Sequence, residues 1–173
     1  IKDLQTGEYL ADTLEDVQGE ITFSADGQSL IYALLEKDKW LAKHIKVHKI
    51  GEPQSADTTL YYEEDDGFFI GFGKTSSKEF MLIASSQGEI QETYVLPADL
   101  SSKPVLMVSR NAGFSHSVDH AHGEFYILAN DTHKNFRLAK VSDQNPAHEN
   151  WQTVQAGSDD VYLLSLQTFD SFL

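Results

Sequence analysis

The clearest β-hairpin pattern in the sequence is Ile21-Thr22-Phe23-Ser24-Ala25-Asp26-Gly27-Gln28-Ser29-Leu30-Ile31-Tyr32. Apolar, β-branched and aromatic residues stand on both sides of Asp26-Gly27. Such residues favour strands, and an Asp-Gly pair between two apolar runs favours a tight turn. We therefore expect two antiparallel strands, Glu20–Ser24 and Ser29–Leu35, joined by Ala25-Asp26-Gly27-Gln28.

The same alternation of short apolar runs and turn residues continues along the chain. Further strands are predicted at His44–Ile50, Thr58–Glu63, Phe68–Gly73, Glu79–Ala84, Ile90–Leu96, Val105–Ser109, Ser115–Asp119, Glu124–Leu128, Phe136–Val141, Trp151–Val154 and Val161–Leu166. Helical periodicity is weak, and Tyr9–Asp16 alone could form a turn of helix. The sequence thus predicts an all-β fold.

The predicted strands recur with a regular period. First strands of successive groups begin near Ile21, Phe68, Ser115 and Val161, in steps of 47, 47 and 46 residues. Four strands in a repeat of about 45 residues are typical of a β-propeller blade. We predict blades at 20–66, 67–112 and 113–157, with the end of a preceding blade at 1–19 and the start of the next at 158–173. The alternative is a β-sandwich with evenly spaced hairpins.

Three full repeats with fragments on either side, about three to four blades in all, fall short of a closed ring, since propellers typically contain about 4–8 complete blades. The chain also starts at Ile1 and stops at Phe172-Leu173 without a polar tail. We therefore expect a segment of a longer protein. An open arc exposes strand edges and apolar blade faces, so we expect the isolated segment to associate with itself.

Composition excludes several classes of protein. The 173 residues include 27 acidic and 13 basic side chains, for a net charge of −14, and no cysteine. The charge argues against a nucleic-acid partner. The absence of cysteine excludes a disulfide scaffold, a thiol nucleophile and a Cys-ligated metal. No apolar run predicts a membrane helix and no signal peptide is visible, so we expect a cytoplasmic protein, with the periplasm as the alternative.

The sequence contains no complete catalytic or cofactor motif. Gly113-Phe114-Ser115-His116-Ser117 is nearest to the Gly-x-Ser-x-Gly elbow of serine hydrolases, but Ser117 stands where glycine is needed. Gly71-Phe72-Gly73-Lys74 is a short match to a phosphate-binding loop and favours a strand end with a crowded backbone. We therefore predict no catalytic residue, no cofactor-binding residue and no cofactor in this chain.

Histidines are the candidate metal ligands. His116, His120 and His122 could share one face of a strand and reach one zinc or nickel ion. However, the repeat places a polar hairpin turn at His120-Ala121-His122-Gly123, which favours structural roles and no metal site. His44 and His48 are predicted to lie at the surface.

The acidic run Glu63-Glu64-Asp65-Asp66 has two interpretations. It is either a solvated loop between blades or half of a site for a basic group, since adjacent carboxylates repel one another. Trp40 and Trp151 show no clustered pattern for stacking on sugars, which argues against a third class, a carbohydrate-binding β-sandwich.

Taken in order, several stretches resemble the propeller domain of the prolyl oligopeptidase family of serine peptidases, and its oligopeptidase B branch most closely. These stretches are Asp3–Glu8, Ile21–Tyr32, His48-Lys49-Ile50-Gly51, Asp57, Leu60–Asp65, Lys74–Phe80, Glu92, His120, Phe125–Asn130 and Asn135–Leu138. The resemblance covers almost the whole chain.

The resemblance implies a parent protein with a seven-bladed propeller and an α/β-hydrolase domain. That family's propeller admits short peptides and keeps folded proteins out, and the oligopeptidase B branch cuts after Lys and Arg. The catalytic Ser, Asp and His belong to the hydrolase domain, so none is carried over to this sequence. The expected partners are the hydrolase domain and short, basic peptides. The alternative is a stand-alone propeller that mediates protein interactions without peptidase activity.

Overall fold

The structure is a computed structural model that describes residues 1–169. Over these residues it contains twelve β-strands in three four-stranded antiparallel sheets. The first sheet consists of β1 (Val17–Phe23), β2 (Ser29–Glu36), β3 (Leu41–Lys49) and β4 (Thr58–Tyr62). The second consists of β5 (Phe69–Lys74), β6 (Phe80–Gln87), β7 (Ile90–Pro97) and β8 (Val105–Val108). The third consists of β9 (His116–Ala121), β10 (Glu124–Ala129), β11 (Arg137–Ser142) and β12 (Gln152–Gln155).

Each sheet is an up-and-down meander, because its strands pair in sequence order. The predicted Asp-Gly hairpin joins β1 to β2, with Gly27 at a φ of 70°. The Asp26 carboxylate fixes this turn by accepting hydrogen bonds from the Ser24 hydroxyl and the Gln28 amide. Local turn chemistry therefore sets the register of the first hairpin, as the sequence predicts.

The apolar core lies between neighbouring sheets. One cluster joins the first and second sheets and includes Ile31, Ile45, Met81, Ile83 and Leu96. The other joins the second and third sheets and includes Val95, Met107, Phe125, Ile127, Ala139, Val141 and Trp151. The middle sheet is thus covered on both faces by a neighbouring sheet, which is propeller packing and differs from a two-sheet sandwich. The all-β class and the propeller architecture are confirmed.

Two predicted elements at the ends of the chain are wrong. Tyr9–Asp16 contains no helical turn, and Tyr9 forms an isolated antiparallel bridge with Lys2. No strand forms over Val161–Leu166, where Leu163 donates one backbone hydrogen bond to Asn135. A strand needs a paired neighbour, and the described residues provide none there. Residues 170–173 of the last predicted unit lie outside the described residues.

The third hairpin turn is shorter than predicted. β9 continues through Ala121, and the turn to β10 consists of His122 and Gly123, both with positive φ. Helical structure in residues 1–169 is limited to the short 3₁₀ turns Gln54–Ala56, Arg110–Ala112 and His148–Asn150. No helix in that part of the chain has the length and apolar character needed to cross a bilayer.

Candidate functional site: the Arg110 cluster between two sheets

A polar cluster joins the first and second sheets around Arg110. Tyr61 lies near the end of β4 and Glu63 directly follows that strand, while Ser85 and Glu92 lie on β6 and β7. Arg110 begins the 3₁₀ turn after β8, so its side chain reaches both sheets. We call these five residues the Arg110 cluster.

Glu63 is the most tightly held member of the Arg110 cluster. Its carboxylate accepts from Arg110 Nη2 at 2.7 Å, from the Tyr61 hydroxyl at 2.7 Å and from the Ser85 hydroxyl at 2.5 Å. Arg110 also donates to both oxygens of Glu92, through Nη2 at 2.9 Å and Nε at 3.2 Å. The guanidinium therefore neutralises two carboxylates, one directly after the first sheet and one on the second sheet, with fork geometry that lysine lacks.

The electrostatics of the cluster keep both carboxylates ionised. Burial opposes ionisation of Glu63, but hydrogen bonds from Arg110 and Ser85 outweigh it and lower the pKa to about 2. The pKa of Glu92 is lowered as well, with burial opposed by Arg110. A carboxylic acid of such low pKa cannot act as a general acid near neutral pH. The arrangement therefore binds charge and fixes geometry rather than transferring protons.

Residues 63–66, the acidic run, fit neither a solvated loop nor a site for a basic group as a whole, because the four side chains differ in their surroundings. Glu63 is buried and paired with Arg110, and Asp66 forms ion pairs with Lys39 and Lys43. Glu64 and Asp65 are exposed. The solvated-loop interpretation is wrong for Glu63, and the neutralising cations come from this same chain. Glu64, Asp65 and Glu92 still border a shallow pocket beside Arg110, which gives this pocket an excess of negative charge.

The predicted surface position of His48 is wrong. His48 is fully buried and lies between Asp57 and Asp12, with its Nδ1 2.8 Å and its Nε2 3.0 Å from a carboxylate oxygen. His44 remains partly exposed and stacks on Tyr62, with 4.5 Å between ring centroids. The four-residue spacing of the two histidines gave no indication of this difference, because Asp12 and Asp57, which lie elsewhere in the sequence, contact His48.

The histidines of β9 do not converge on one site. His116 and His120 are buried, and His122 is exposed in the hairpin turn. His120 Nδ1 lies 2.8 Å from the Ser77 hydroxyl, and His116 Nε2 lies 2.8 Å from that of Thr93. The predicted solvated turn is therefore wrong for His120. In residues 1–169 no group of three or more His, Asp or Glu side chains is arranged to hold a metal ion.

The remaining motifs are parts of the scaffold. Gly71 and Gly73 lie inside β5, as predicted, but a Cβ atom at either position would meet no neighbour within 4 Å, so the predicted crowding is wrong. Ser115, the serine of the Gly113–Ser117 motif, directly precedes β9 and so does not stand at the strand-to-helix turn of a nucleophile elbow. Trp40 is 79% exposed, whereas Trp151 is buried in the core between the second and third sheets.

Sequence reasoning missed Asp119, which connects three parts of the molecule. Its carboxylate accepts from the amide and hydroxyl of Ser76 in the β5–β6 turn, at 2.8 Å and 2.6 Å. It also accepts from the amide and hydroxyl of Thr168, at 3.0 Å and 2.8 Å. Burial opposes ionisation of Asp119, but these hydrogen bonds outweigh it and lower its pKa. The Ser-rich turn at residues 75–78 was the available signal.

Comparison with known proteins identifies the fold family. The model of the prolyl oligopeptidase N-terminal β-propeller domain matches residues 1–173. Oligopeptidase B from Leishmania major superposes with a TM-score of 0.85 at 23% identity, over 95% of this chain and 23% of that one. Oligopeptidase B from Trypanosoma brucei gives a TM-score of 0.81 at 21% identity, over 93% and 23% of the two chains.

Curated relatives agree with this match. Dipeptidyl aminopeptidase BI from Pseudoxanthomonas mexicana is 29% identical over 99% of this chain and 24% of its own length. Protease 2 from Moraxella lacunata is 27% identical over 81% of this chain and 21% of its own length. The chain therefore spans about a quarter or less of these relatives. It belongs to the family of prolyl oligopeptidase N-terminal β-propeller domains.

Proposed function

We propose that this chain is the non-catalytic propeller segment of a serine oligopeptidase that hydrolyses short peptides. The observation that carries the proposal is the match of the family model to residues 1–173, supported by relatives named as peptidases. In this segment the clustered carboxylates and histidines are engaged with partners inside the fold. The chemistry therefore belongs to an α/β-hydrolase domain in the parent, which this segment would contact.

The proposed contribution of the segment is to limit the size of the substrate. The three sheets pack face to face, and β1, β5 and β9 each stand at one edge of a sheet. We propose that these edges face the central passage of the parent propeller. A ring of such blades, seven in the parent, would leave a narrow passage that an unfolded short peptide enters and a folded protein does not. Function then resides in the loops and channel of a rigid scaffold.

We further propose that the substrates are basic peptides cleaved after Lys or Arg. A net charge of −14 supports this preference, as does the negative pocket beside Arg110. Charged clefts raise association rates for ligands of opposite sign, and salt screens the effect. In the parent, kcat/KM for basic peptides should fall as ionic strength rises. A kcat/KM that does not change with ionic strength would contradict the proposed electrostatic attraction of basic peptides.

A fluorogenic peptide assay tests the main proposal. A short peptide with Arg before the reporter group is incubated with this chain and, separately, with the full-length protein that contains it. We expect hydrolysis by the full-length protein and none by this chain. Hydrolysis by this chain would overturn the non-catalytic role.

The second candidate function is a stand-alone propeller for protein interaction, favoured if the full-length protein is also inactive and lacks a downstream Gly-x-Ser-x-Gly motif.

In either case we propose that the isolated chain self-associates through its open blade faces. A clean monomer at high concentration in size-exclusion chromatography would contradict that association.

A further inference from the structure

A buried histidine fastens the N-terminal segment, residues 1–16, to the first sheet. His48 on β3 lies between Asp57 of the β3–β4 loop and Asp12 of the N-terminal segment. The side chains of His48, Asp57 and Asp12 are 1%, 1% and 5% exposed. Both carboxylates therefore contact the same imidazole, one at each ring nitrogen, in a buried site.

The number of protons on His48 decides whether both contacts can form. A neutral imidazole carries one N–H, so it can donate to one carboxylate, while its other nitrogen presents a lone pair. That lone pair would face a carboxylate oxygen, which is a repulsive contact in a buried site. An imidazolium donates from both nitrogens. The contacts of 2.8 Å and 3.0 Å on the two sides can therefore both be hydrogen bonds only when His48 is protonated.

The neighbours of His48 show which contact is lost with the proton. Asp57 is held on its other oxygen by the Tyr32 hydroxyl at 2.7 Å, so it is anchored to β2. Asp12 has the Gly51 amide as its further donor, on the same oxygen that faces His48. Asp12, Asp57 and, through Asp57, Tyr32 are the titratable groups that face the ring.

We propose that Asp12, His48 and Asp57 form a proton-dependent clasp that holds the N-terminal segment on the first sheet and loosens as pH rises. When His48 loses a proton to solvent, the remaining N–H stays on Nδ1, hydrogen-bonded to Asp57. Nε2 then repels the Asp12 carboxylate, which turns towards water. The N-terminal segment keeps the hydrogen bonds between the Glu15 backbone and the Gln54 side chain, and the bond from the Leu35 amide to the Asp16 carbonyl, but loses its buried charge contact with β3.

The direction of the pH response follows from the environment of the imidazole. Burial disfavours the charged ring, but hydrogen bonds to Asp12 and Asp57 outweigh it and raise the pKa of His48. The contribution of the clasp is therefore fully present below the unfolded-state value of about 6.5 and is lost as pH rises through the higher folded-state value.

Hydrogen exchange on the intact protein tests the clasp. Protection factors, which are corrected for the intrinsic pH dependence of exchange, are followed at the Gly51 amide and in residues 9–16. We expect protection at these sites to fall by about threefold or more from near pH 6 to near pH 9, with little change in β6. Constant protection over this range would overturn the proposal.

Substitution of Asp57 tests whether His48 must be protonated to hold Asp12, or whether packing around the ring is enough. Its two oxygens serve different donors, Oδ1 facing His48 and Oδ2 accepting from Tyr32. In Asp57→Asn the amide nitrogen can donate to a neutral His48 Nδ1, while the amide oxygen still accepts from Tyr32. His48 then carries its N–H on Nε2 and keeps Asp12. We expect Asp57→Asn to hold the N-terminal segment with the same protection at both pH values.

Two further variants complete the test. His48→Gln cannot bridge both acidic side chains, so it should give low protection in residues 9–16 at every pH. His44→Gln changes the partly exposed histidine on the same strand and should retain the wild-type pH response. A pH response in Asp57→Asn equal to that of the wild type would overturn the proposal. So would loss of the response in His44→Gln.

Discussion

The guanidinium of Arg110 stacks on the ring of Phe68, with its central carbon 4.1 Å from the ring centroid. Phe68 immediately precedes β5, in the connection between the first two sheets. The same guanidinium binds Glu63, which directly follows the last strand of the first sheet, and Glu92 of the second sheet. One side chain thus holds the two sheets and the connection between them, through charge on its edges and a cation–π contact on its face.

Glu63→Gln should destabilise the chain by about 2–3 kcal/mol, because it removes the buried negative charge opposite Arg110 and replaces one accepting oxygen by an amide nitrogen, while the donors remain in place. Urea unfolding at neutral pH measures the change. Glu64→Gln is the matched control, since Glu64 is the exposed neighbour in the same acidic run, and it should shift stability by less than about 0.5 kcal/mol. Equal effects of the two substitutions would contradict the assignment of Glu63 to the cluster.

The same variant should alter acid unfolding. The pKa of Glu63 is lowered to about 2, so its ionised form contributes stability above the ordinary value of 4.5 that is lost as pH falls towards 2. The difference in stability between wild type and Glu63→Gln should therefore narrow over this pH range. A constant difference down to about pH 2 would show that ionisation of Glu63 is not what stabilises the cluster.

His116 should destabilise the chain in moderate acid. Burial lowers the pKa of His116 to about 4 from its ordinary value of 6.5. Between pH 6.5 and about pH 4 the unfolded chain therefore binds a proton at this residue, while the folded chain does not. Stability falls by up to about 3 kcal/mol over this range. His116→Gln, which can still bond Thr93 but does not titrate, should remove this loss in pH-dependent urea unfolding. An unchanged slope would show that His116 ionises freely in the folded chain.

Two phenylalanines provide a test of where the core lies. Phe125 is fully buried between the second and third sheets, whereas Phe69 on β5 is 67% exposed. Phe125→Ala should cost about 3–5 kcal/mol through lost burial and the cavity that remains. Phe69→Ala should cost less than about 1 kcal/mol. Thermal or urea unfolding compares them, and similar costs would contradict the propeller packing described above.

Asp119→Asn should release the C-terminal segment, residues 156–169, from the third sheet. The amide group presents a donor where one carboxylate oxygen now accepts, so it opposes either Ser76 or Thr168. Limited proteolysis should cleave this segment several-fold faster in the variant. Asp99→Asn is the control, because Asp99 is an exposed residue in another turn. Unchanged cleavage in Asp119→Asn would show that other contacts hold the segment.

The fold was predictable because its signals are local. Asp26-Gly27 encodes a turn within four residues, and the same alternation of strand and turn recurs in each sheet. The turn at His122-Gly123 was misplaced because it needs two residues, where the repeat suggested four. His120 therefore entered a buried strand instead of a solvated loop.

The polar clusters were not predictable because they join residues that are far apart in the sequence. Arg110 and Glu63 are 47 positions apart, and Asp12 and His48 are 36 apart. Hydrophobic alternation specifies which face of a strand is buried, but it carries no information on the register between stacked sheets. A basic residue opposite an acidic run could be expected from charge alone, but its position could not.

Each apolar cluster is built from two neighbouring sheets, and this determines which parts of the chain can fold independently. A single excised sheet would keep its backbone ladder and lose its core, so the smallest unit able to fold is a pair of adjacent blades. The middle sheet contributes to both clusters, and damage there removes the hydrophobic support of both neighbours. Unfolding that starts in the middle sheet therefore spreads along the chain in both directions, whereas fraying from either end stops at the next intact pair.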